Sequence, residues 1–466
     1  MLGLTNFIKY HKTPLLFIVL SSIFYLSFAY DLVRTDVTKL LLLYAGLFVF
    51  AFQIIKTTGF YTSTTRSTSF RLLVIAAILF RLLFLFAIPN LSQDFYRFIW
   101  DGQMILAGFN PYLTTPDFQM EMGMLSNFPN QVELYEGMGA LSASHYTNYP
   151  PLNQLCFVLA NLFPGKSILS SVIGMRLLII AADIGTLYFG KKLLERLKLP
   201  SNRIFWYILN PFIIIELTGN IHFEGVMIFF LVWSLYLLHS GKWKWAAVVL
   251  ACSISVKLIP LMFLPLFFWW FTTERKDAST ELSMTTLFKF YIIVGIITIL
   301  LFLPFFSMEF VTNYSETVGL WFGNFEFNAS IYYLARAIGY AITGFNEIAV
   351  IGKILPVISL LIILGFSFLK KNTTIPELTT SILLAFSCYL FLSTTVHPWY
   401  IATLVMLCIF TNYRFPLVWS LVVVLSYLAY SNASNSENPW LIILEYGIVY
   451  SVFFWELFQK KRPSIN

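Results

Sequence analysis

Residues Arg71–Gly102 read RLLVIAAILFRLLFLFAIPNLSQDFYRFIWDG. Up to Ile88 the stretch is almost wholly apolar, and as a helix rising about 1.5 Å per residue it is long enough to cross much of a hydrocarbon layer about 30 Å thick. Pro89 ends the run. A polar, aromatic segment then begins with Ser92, Gln93 and Asp94. The stretch therefore reads as a membrane span that delivers the chain to an aqueous face, and similar runs recur near 14–30, 37–55, 167–190, 204–218, 221–239, 245–271, 287–306, 348–369, 377–395, 399–410, 415–430 and 440–458.

Composition agrees. Of 466 residues, 58% are hydrophobic and 11% charged, where a soluble domain carries about 25% charged residues. A water-soluble fold is excluded. The reading is an all-α polytopic membrane protein of about 11–14 transmembrane helices, with short amphipathic helices in a large first outer loop. The 30 Lys and Arg against 23 Asp and Glu do not point to nucleic acid, because the basic residues fall in short loops, where they hold the cytoplasmic side.

Those loops carry Lys9 and Lys12; Lys56, Arg66 and Arg71; Lys191 to Arg203; Lys242 and Lys244; Lys370 and Lys371; and Lys460, Lys461 and Arg462. The N-terminal basic patch precedes a retained first span, since no small-residue cleavage site follows Tyr30. Residues 1–466 form one integral membrane domain. Its long polar connection, 89–150, is an outer loop rich in acids, and 307–330 is a second outer loop. For the basic loop at 191–203 to stay inside, 151–163 must be a short helix that dips in without crossing. The stretch 245–271, interrupted by Pro260 and Pro265, is either one bent helix or two halves of a re-entrant pair.

Within a helix over 94–107, Asp94, Arg97 and Asp101 share one face. A carboxylate at the boundary of water and lipid is partly desolvated, which raises its proton affinity and suits a general base acting on an alcohol. The same spacing also suits an intrahelical ion-pair ladder, and spacing alone prefers that plainer reading. Gly108-Phe109-Asn110-Pro111-Tyr112 reads as a helix stop and turn, and Tyr149-Pro150-Pro151 as the opening of the next membrane segment. Ionisable groups in or beside the membrane point inward by default. These are His222 and Glu224 at an outer helix end, Lys257 and Arg336 as cations suited to a phosphate, and His397 beside Trp399 and Tyr400, whose rings suit a sugar. Capping, snorkelling and interfacial anchoring remain open for each of them. The four cysteines, Cys156, Cys252, Cys388 and Cys408, have neither zinc nor disulfide spacing.

In order and spacing, Asp94…Tyr96-Arg97…Trp100-Asp101-Gly102…Gly108-Phe109-Asn110-Pro111-Tyr112, Tyr149-Pro150-Pro151-Leu152, Phe327-Asn328-Ala329-Ser330-Ile331-Tyr332-Tyr333 and His397-Pro398-Trp399-Tyr400 resemble landmarks of the type C membrane glycosyltransferases, the GT-C superfamily. The likeness is greatest to bacterial polyprenyl-phosphate-mannose-dependent mannosyltransferases and more distant to the catalytic subunit of GPI mannosyltransferase I. It implies transfer of a sugar, mannose first, from a polyprenyl-phosphate donor to a glycan, lipid or protein acceptor, in a bacterial inner membrane with the site facing outward.

Asp94 falls where that family places its catalytic acid, and Asp101 is the second acid expected at the chemistry, positioning Arg97 or holding sugar hydroxyls. Substrate contacts are expected from Arg97, Asn110, Tyr112, Tyr149, His222, Glu224, Lys257, Asn328, Arg336, His397, Trp399 and Tyr400. Arg97, Lys257, Arg336 and His397 are the expected partners of the leaving phosphate, and Glu224 and Glu326 are the acids that would replace Asp94. Relatives often show two adjacent acids at this point. Gln93 beside Asp94 leaves a divalent metal without the second, so no cofactor is assigned. A lipid-linked sugar flippase and a surface polysaccharide polymerase or ligase are the alternative functions.

Overall fold

The computed structural model describes residues 2–58, 63–124, 128–273, 283–323, 325–432 and 434–460. The expected basic markers Lys461 and Arg462 lie outside the described residues. The described residues are helices joined by turns and loops. Among the described residues, seven helices are long and apolar enough to cross a membrane: Tyr10–Tyr30, Val37–Thr57, Ile168–Arg196, Met284–Phe305, Ile348–Phe368, Ile375–Leu392 and Pro439–Gln459. Pro211–Gly219 and Glu224–His239 pass the same test as a pair bent by 115°. Shorter apolar helices cover Trp243–Val256, Ile259–Thr272, Pro398–Cys408 and Phe415–Ser431. This is a polytopic membrane protein, and the expected eleven to fourteen segments are reached only by counting these shorter pieces with the long ones.

Two expectations about local structure are met. Helix Pro151–Asn161 has 11 residues, too few to cross, and starts with proline at its first turn, where the missing N–H is not needed. The 245–271 stretch is broken: helix Trp243–Val256 stops at Lys257, whose backbone is extended (φ −147°, ψ 139°), and a tight 3-10 segment Ile259–Phe267 follows. Pro260 and Pro265 account for the change, since neither can donate to an α-helical ladder.

The loops sort to two ends. At one, Arg203 donates to the Thr411 carbonyl at 3.3 Å, Arg196 reaches Ser240, and Lys191 lies 5.4 Å from the Phe70 ring centroid. At the other, Asn90 donates to the carbonyls of Phe28 and Leu32, the Leu91 N–H donates to Asn220, and Phe327 pairs with Thr394 and Val396. The basic loops and the acidic 89–150 excursion are therefore at opposite ends.

Two buried arginines that sequence reading passed over hold the second end in shape. Arg176, within helix Ile168–Arg196, donates to the carbonyls of Leu85 (3.0 Å), Ala87 (2.7 Å), Thr218 (2.8 Å) and Gly219 (3.0 Å). Carbonyls left over where two helices end are satisfied by one guanidinium, which fixes the start of the 89–150 loop against the 115° bend. Arg81 pairs with Asp183 at 2.7 Å between helices Ser63–Leu82 and Ile168–Arg196, both side chains 2% exposed.

The 89–150 loop folds into helices Asp94–Leu106, Pro116–Glu121 and Gln131–Ala143. Asp94–Leu106 ends at Gly108 in the left-handed region (φ +85°), with the Phe109 N–H donating back to the Met104 carbonyl at 2.9 Å. Its inner face seats Phe95, Phe98, Trp100 and Met104, all buried. Gly102 explains the Trp-Asp-Gly run, because a Cβ there would stand 2.7 Å from the Phe157 carbonyl oxygen. Gly102→Ala is expected to pry the surface helix from Pro151–Asn161 and cost about 1–3 kcal/mol, read as a lower thermal midpoint of the detergent-purified protein.

Candidate active site

The elements at this second end enclose a cavity of about 1410 Å³. Asp94, Arg97, Tyr149, Lys257, Arg336, His397, Trp399 and Tyr400 line it together. The 89–150 loop, the break at Lys257, the 325–337 segment and the 393–400 turn thus converge on one cavity.

Asp94 sits at the first turn of its helix, where the free N–H groups and the helix dipole favour an acid. Burial nevertheless pushes its carboxyl up to about 6, with Lys257 pulling it down and Glu224 raising it. Lys257 Nζ lies 3.0 Å from Glu224 Oε1 and 5.0 Å from the Tyr149 ring centroid. Glu224 is fully buried, so Lys257 is held as a tether between a carboxylate below and the cavity above.

Helix Asp94–Leu106 is pinned through Arg97. Its Nε donates to Asp101 Oδ1 at 2.8 Å, and its Nη1 donates to the carbonyls of Ser142 (2.6 Å) and His145 (2.9 Å). Asp101, wholly buried, also accepts from Gln154 Nε2 at 3.0 Å. The ion-pair reading holds for Arg97 and Asp101, and Asp94 stands outside that pair toward the cavity.

The bend before Glu224 is strained. Ile214–Gly219 is a π-helical turn, and Ile221 holds φ +61°, a left-handed conformation that a β-branched residue adopts at a cost. Strain of this kind persists where the surroundings over-determine it, commonly at functional sites. Here it stacks His222 on Trp399 with ring centroids 3.7 Å apart, and Trp399 in turn on His397 at 4.5 Å. Trp399 and His397 make one wall of the cavity, with His222 backing them.

Other expected contacts lie behind the wall. Asn110 accepts the Tyr112 N–H at 3.1 Å and donates to the Phe305 carbonyl, as a turn-forming Asn does. Tyr112, fully buried, donates to the Tyr149 carbonyl at 2.6 Å and packs edge-on to Phe305 and Phe310. Asn328, in the left-handed region (φ +46°), donates through Nδ2 to Glu445, and its N–H donates to Glu437 at 2.7 Å. Their side chains hold the cavity's frame, while Asp101, His222 and Glu224 stand one layer back from its surface.

Arg34, Tyr430 and Glu437 are among the lining residues that sequence reading did not single out. Glu437, raised in proton affinity by burial, accepts from the Tyr333 hydroxyl. Arg336 pairs with Glu326. Arg34 and Glu437 sit in short connections between spans, and being ionisable residues beside apolar spans was the signal that marked them. Among the described residues no three of His, Cys, Asp or Glu converge as metal ligands. The nearby Glu224 is committed to Lys257, so the donor set around Asp94 does not fit a divalent ion.

The cavity thus brings a buried acid, paired cations and ring-lined walls together in a polytopic membrane protein. Residues 20–273 match the family model described as alpha-(1->6)-mannopyranosyltransferase, N-terminal domain. The match covers more than half of the 466 residues, and the chain belongs to that mannosyltransferase family. No curated protein matches it significantly.

Proposed function

We propose that this mannosyltransferase takes mannose from a polyprenyl-phosphate carrier and passes it, with inversion, to a hydroxyl of a glycan, lipid or protein acceptor on the outer face of a bacterial inner membrane. The family's name favours an α-1,6 linkage. Nucleotide sugars are charged and confined to the cytoplasm, so an outward-facing transferase needs a donor already carried across on lipid.

The observation that carries this reading is the shape of the cavity. From Asp94 it runs to membrane-depth residues of two spans, Leu355, Pro356 and Ser359 on one and Ile442, Ile443 and Gly447 on the other. An isoprenoid tail lies there in an apolar groove while its phosphate and sugar stay at the polar end.

Asp94 takes the proton of the acceptor hydroxyl as that oxygen bonds to the anomeric carbon. The bond from that carbon to the phosphate oxygen breaks, and its electron pair leaves with the lipid phosphate. Asp101 fixes Arg97 and with it the helix that aims Asp94; Lys257 keeps the Asp94 carboxyl from rising further. Trp399, Tyr400 and Tyr149 supply faces and hydroxyls for the sugar.

The test uses purified protein in vesicles with a synthetic polyprenyl-phosphate-mannose and a short mannoside acceptor. The expected product is an α-linked mannoside, with none formed when a nucleotide-mannose replaces the lipid donor. Transfer from the nucleotide sugar alone overturns the donor assignment. Movement of the mannosyl lipid across the vesicle without new glycoside makes the protein a flippase instead.

A further inference from the structure

The cations of the cavity are not equivalent. Arg97 is matched by Asp101 at 2.8 Å, Lys257 by Glu224 at 3.0 Å, and Arg336 by Glu326. Each of these pairs is neutral before any substrate arrives.

Arg34, in the connection between the first two spans, is different. Its guanidinium carbon lies 3.4 Å from the centroid of the Tyr430 ring. Among the described residues it meets no carboxylate and donates no hydrogen bond. The two acids of its own loop are occupied elsewhere, Asp31 by Lys39 and Asp36 as the cap of the following helix, where it accepts the Lys39 N–H at 3.1 Å. Stacking on a tyrosine face leaves the guanidinium edge, with its fork of N–H donors, available in the plane where a phosphate binds best.

Its position also fits. Tyr430 closes the apolar helix Phe415–Ser431, and the chain then passes Asn435 and Glu437 on the cavity wall into Pro439–Gln459, the span that supplies Ile442 and Ile443 to the groove. A phosphate whose tail follows that span arrives beside Tyr430. We infer that Arg34, held on the Tyr430 ring, is the binding site for the lipid phosphate of the donor and of the polyprenyl-phosphate product.

The inference rests on the polyprenyl-phosphate reading above and names a residue for it. When the anomeric bond breaks, the phosphate goes from a diester with one charge to a monoester approaching two. Charge developing on a leaving oxygen is where a preorganised cation contributes most. The three paired cations each bring a carboxylate that offsets this gain, and Arg34 brings none.

The experiment measures binding of a short-chain polyprenyl phosphate, the matching polyprenol and inorganic phosphate to wild type, Arg34→Gln and Arg34→Lys, with thermal midpoints to confirm folding. Arg34→Gln is expected to weaken polyprenyl phosphate at least about tenfold and to lower kcat by about 10²-fold, leaving polyprenol binding unchanged. Arg34→Lys restores part of the affinity, because the charge returns without the fork. Unchanged polyprenyl-phosphate affinity in a folded Arg34→Gln overturns the assignment, as does inorganic phosphate binding wild type as tightly as the lipid. If wild type binds polyprenol and polyprenyl phosphate equally, the donor reading itself has failed, and the inference with it.

Discussion

Asp94→Asn is expected to slow mannosyl transfer by about 10² to 10⁴-fold, the usual contribution of a positioned general base, while donor binding stays near wild type. The amide keeps the shape of the carboxylate but cannot accept the acceptor's proton. Folding is not the expected casualty. The Asp94 carboxyl holds its proton up to about 6 in the folded protein, against about 3.9 in an unfolded chain. Stability from this group is therefore fully present below the unfolded value and is lost as pH rises through the folded one. At pH 7 the ionised carboxylate is a burden that the amide removes, and the variant is expected to melt at or above the wild-type temperature.

The same position sets the pH profile. Since the base must be ionised, kcat/KM is expected to climb through about pH 6 and level off above it. Glu224→Gln takes away the neighbouring charge that raises Asp94 and leaves Lys257 free to lower it, so the acid limb moves to lower pH. A limb that stays in place in Glu224→Gln, or near-normal turnover in Asp94→Asn, removes Asp94 from the base's role.

Much of this arrangement is legible in the sequence, and the part that is not has a physical reason. Apolar runs and basic loops report how the chain meets the bilayer, because length and charge decide insertion locally. Gly108 and Pro151 mark helix ends for equally local reasons. Asn110 and Tyr112 look like substrate contacts in a polar loop, and only packing reveals their attachment to Phe305 and the Tyr149 carbonyl. Pairing is likewise non-local: Lys257 finds Glu224 across the break that Pro260 imposes, and Arg176 finds carbonyls about ninety residues earlier. A spacing rule reaches Arg97 and Asp101, four residues apart, and stops there.

That pair gives the other large effect. Arg97→Gln leaves the Asp101 carboxylate wholly buried with Gln154 as its remaining donor, and it strips the Ser142 and His145 carbonyls of theirs. Breaking a buried pair from one side typically costs about 3–5 kcal/mol, because a charge stays behind without compensation. The expected result is a sharp fall in thermal midpoint together with lost transfer, since Gln131–Ala143 no longer braces the helix that carries Asp94. Arg97→Gln combined with Asp101→Asn removes both charges at once, and most of the stability is expected to return, by the non-additivity that neighbouring sites show. Activity then separates two roles that a single substitution confounds. If Arg97 and Asp101 act by positioning, transfer recovers along with stability, and the pH limb near 6 reappears because Asp94 is back in place. If Arg97 instead holds the departing phosphate, the double variant folds and stays slow at every pH, with polyprenyl-phosphate affinity reduced as in Arg34→Gln. The first outcome is expected, because two of the three guanidinium nitrogens of Arg97 are already spent on the protein.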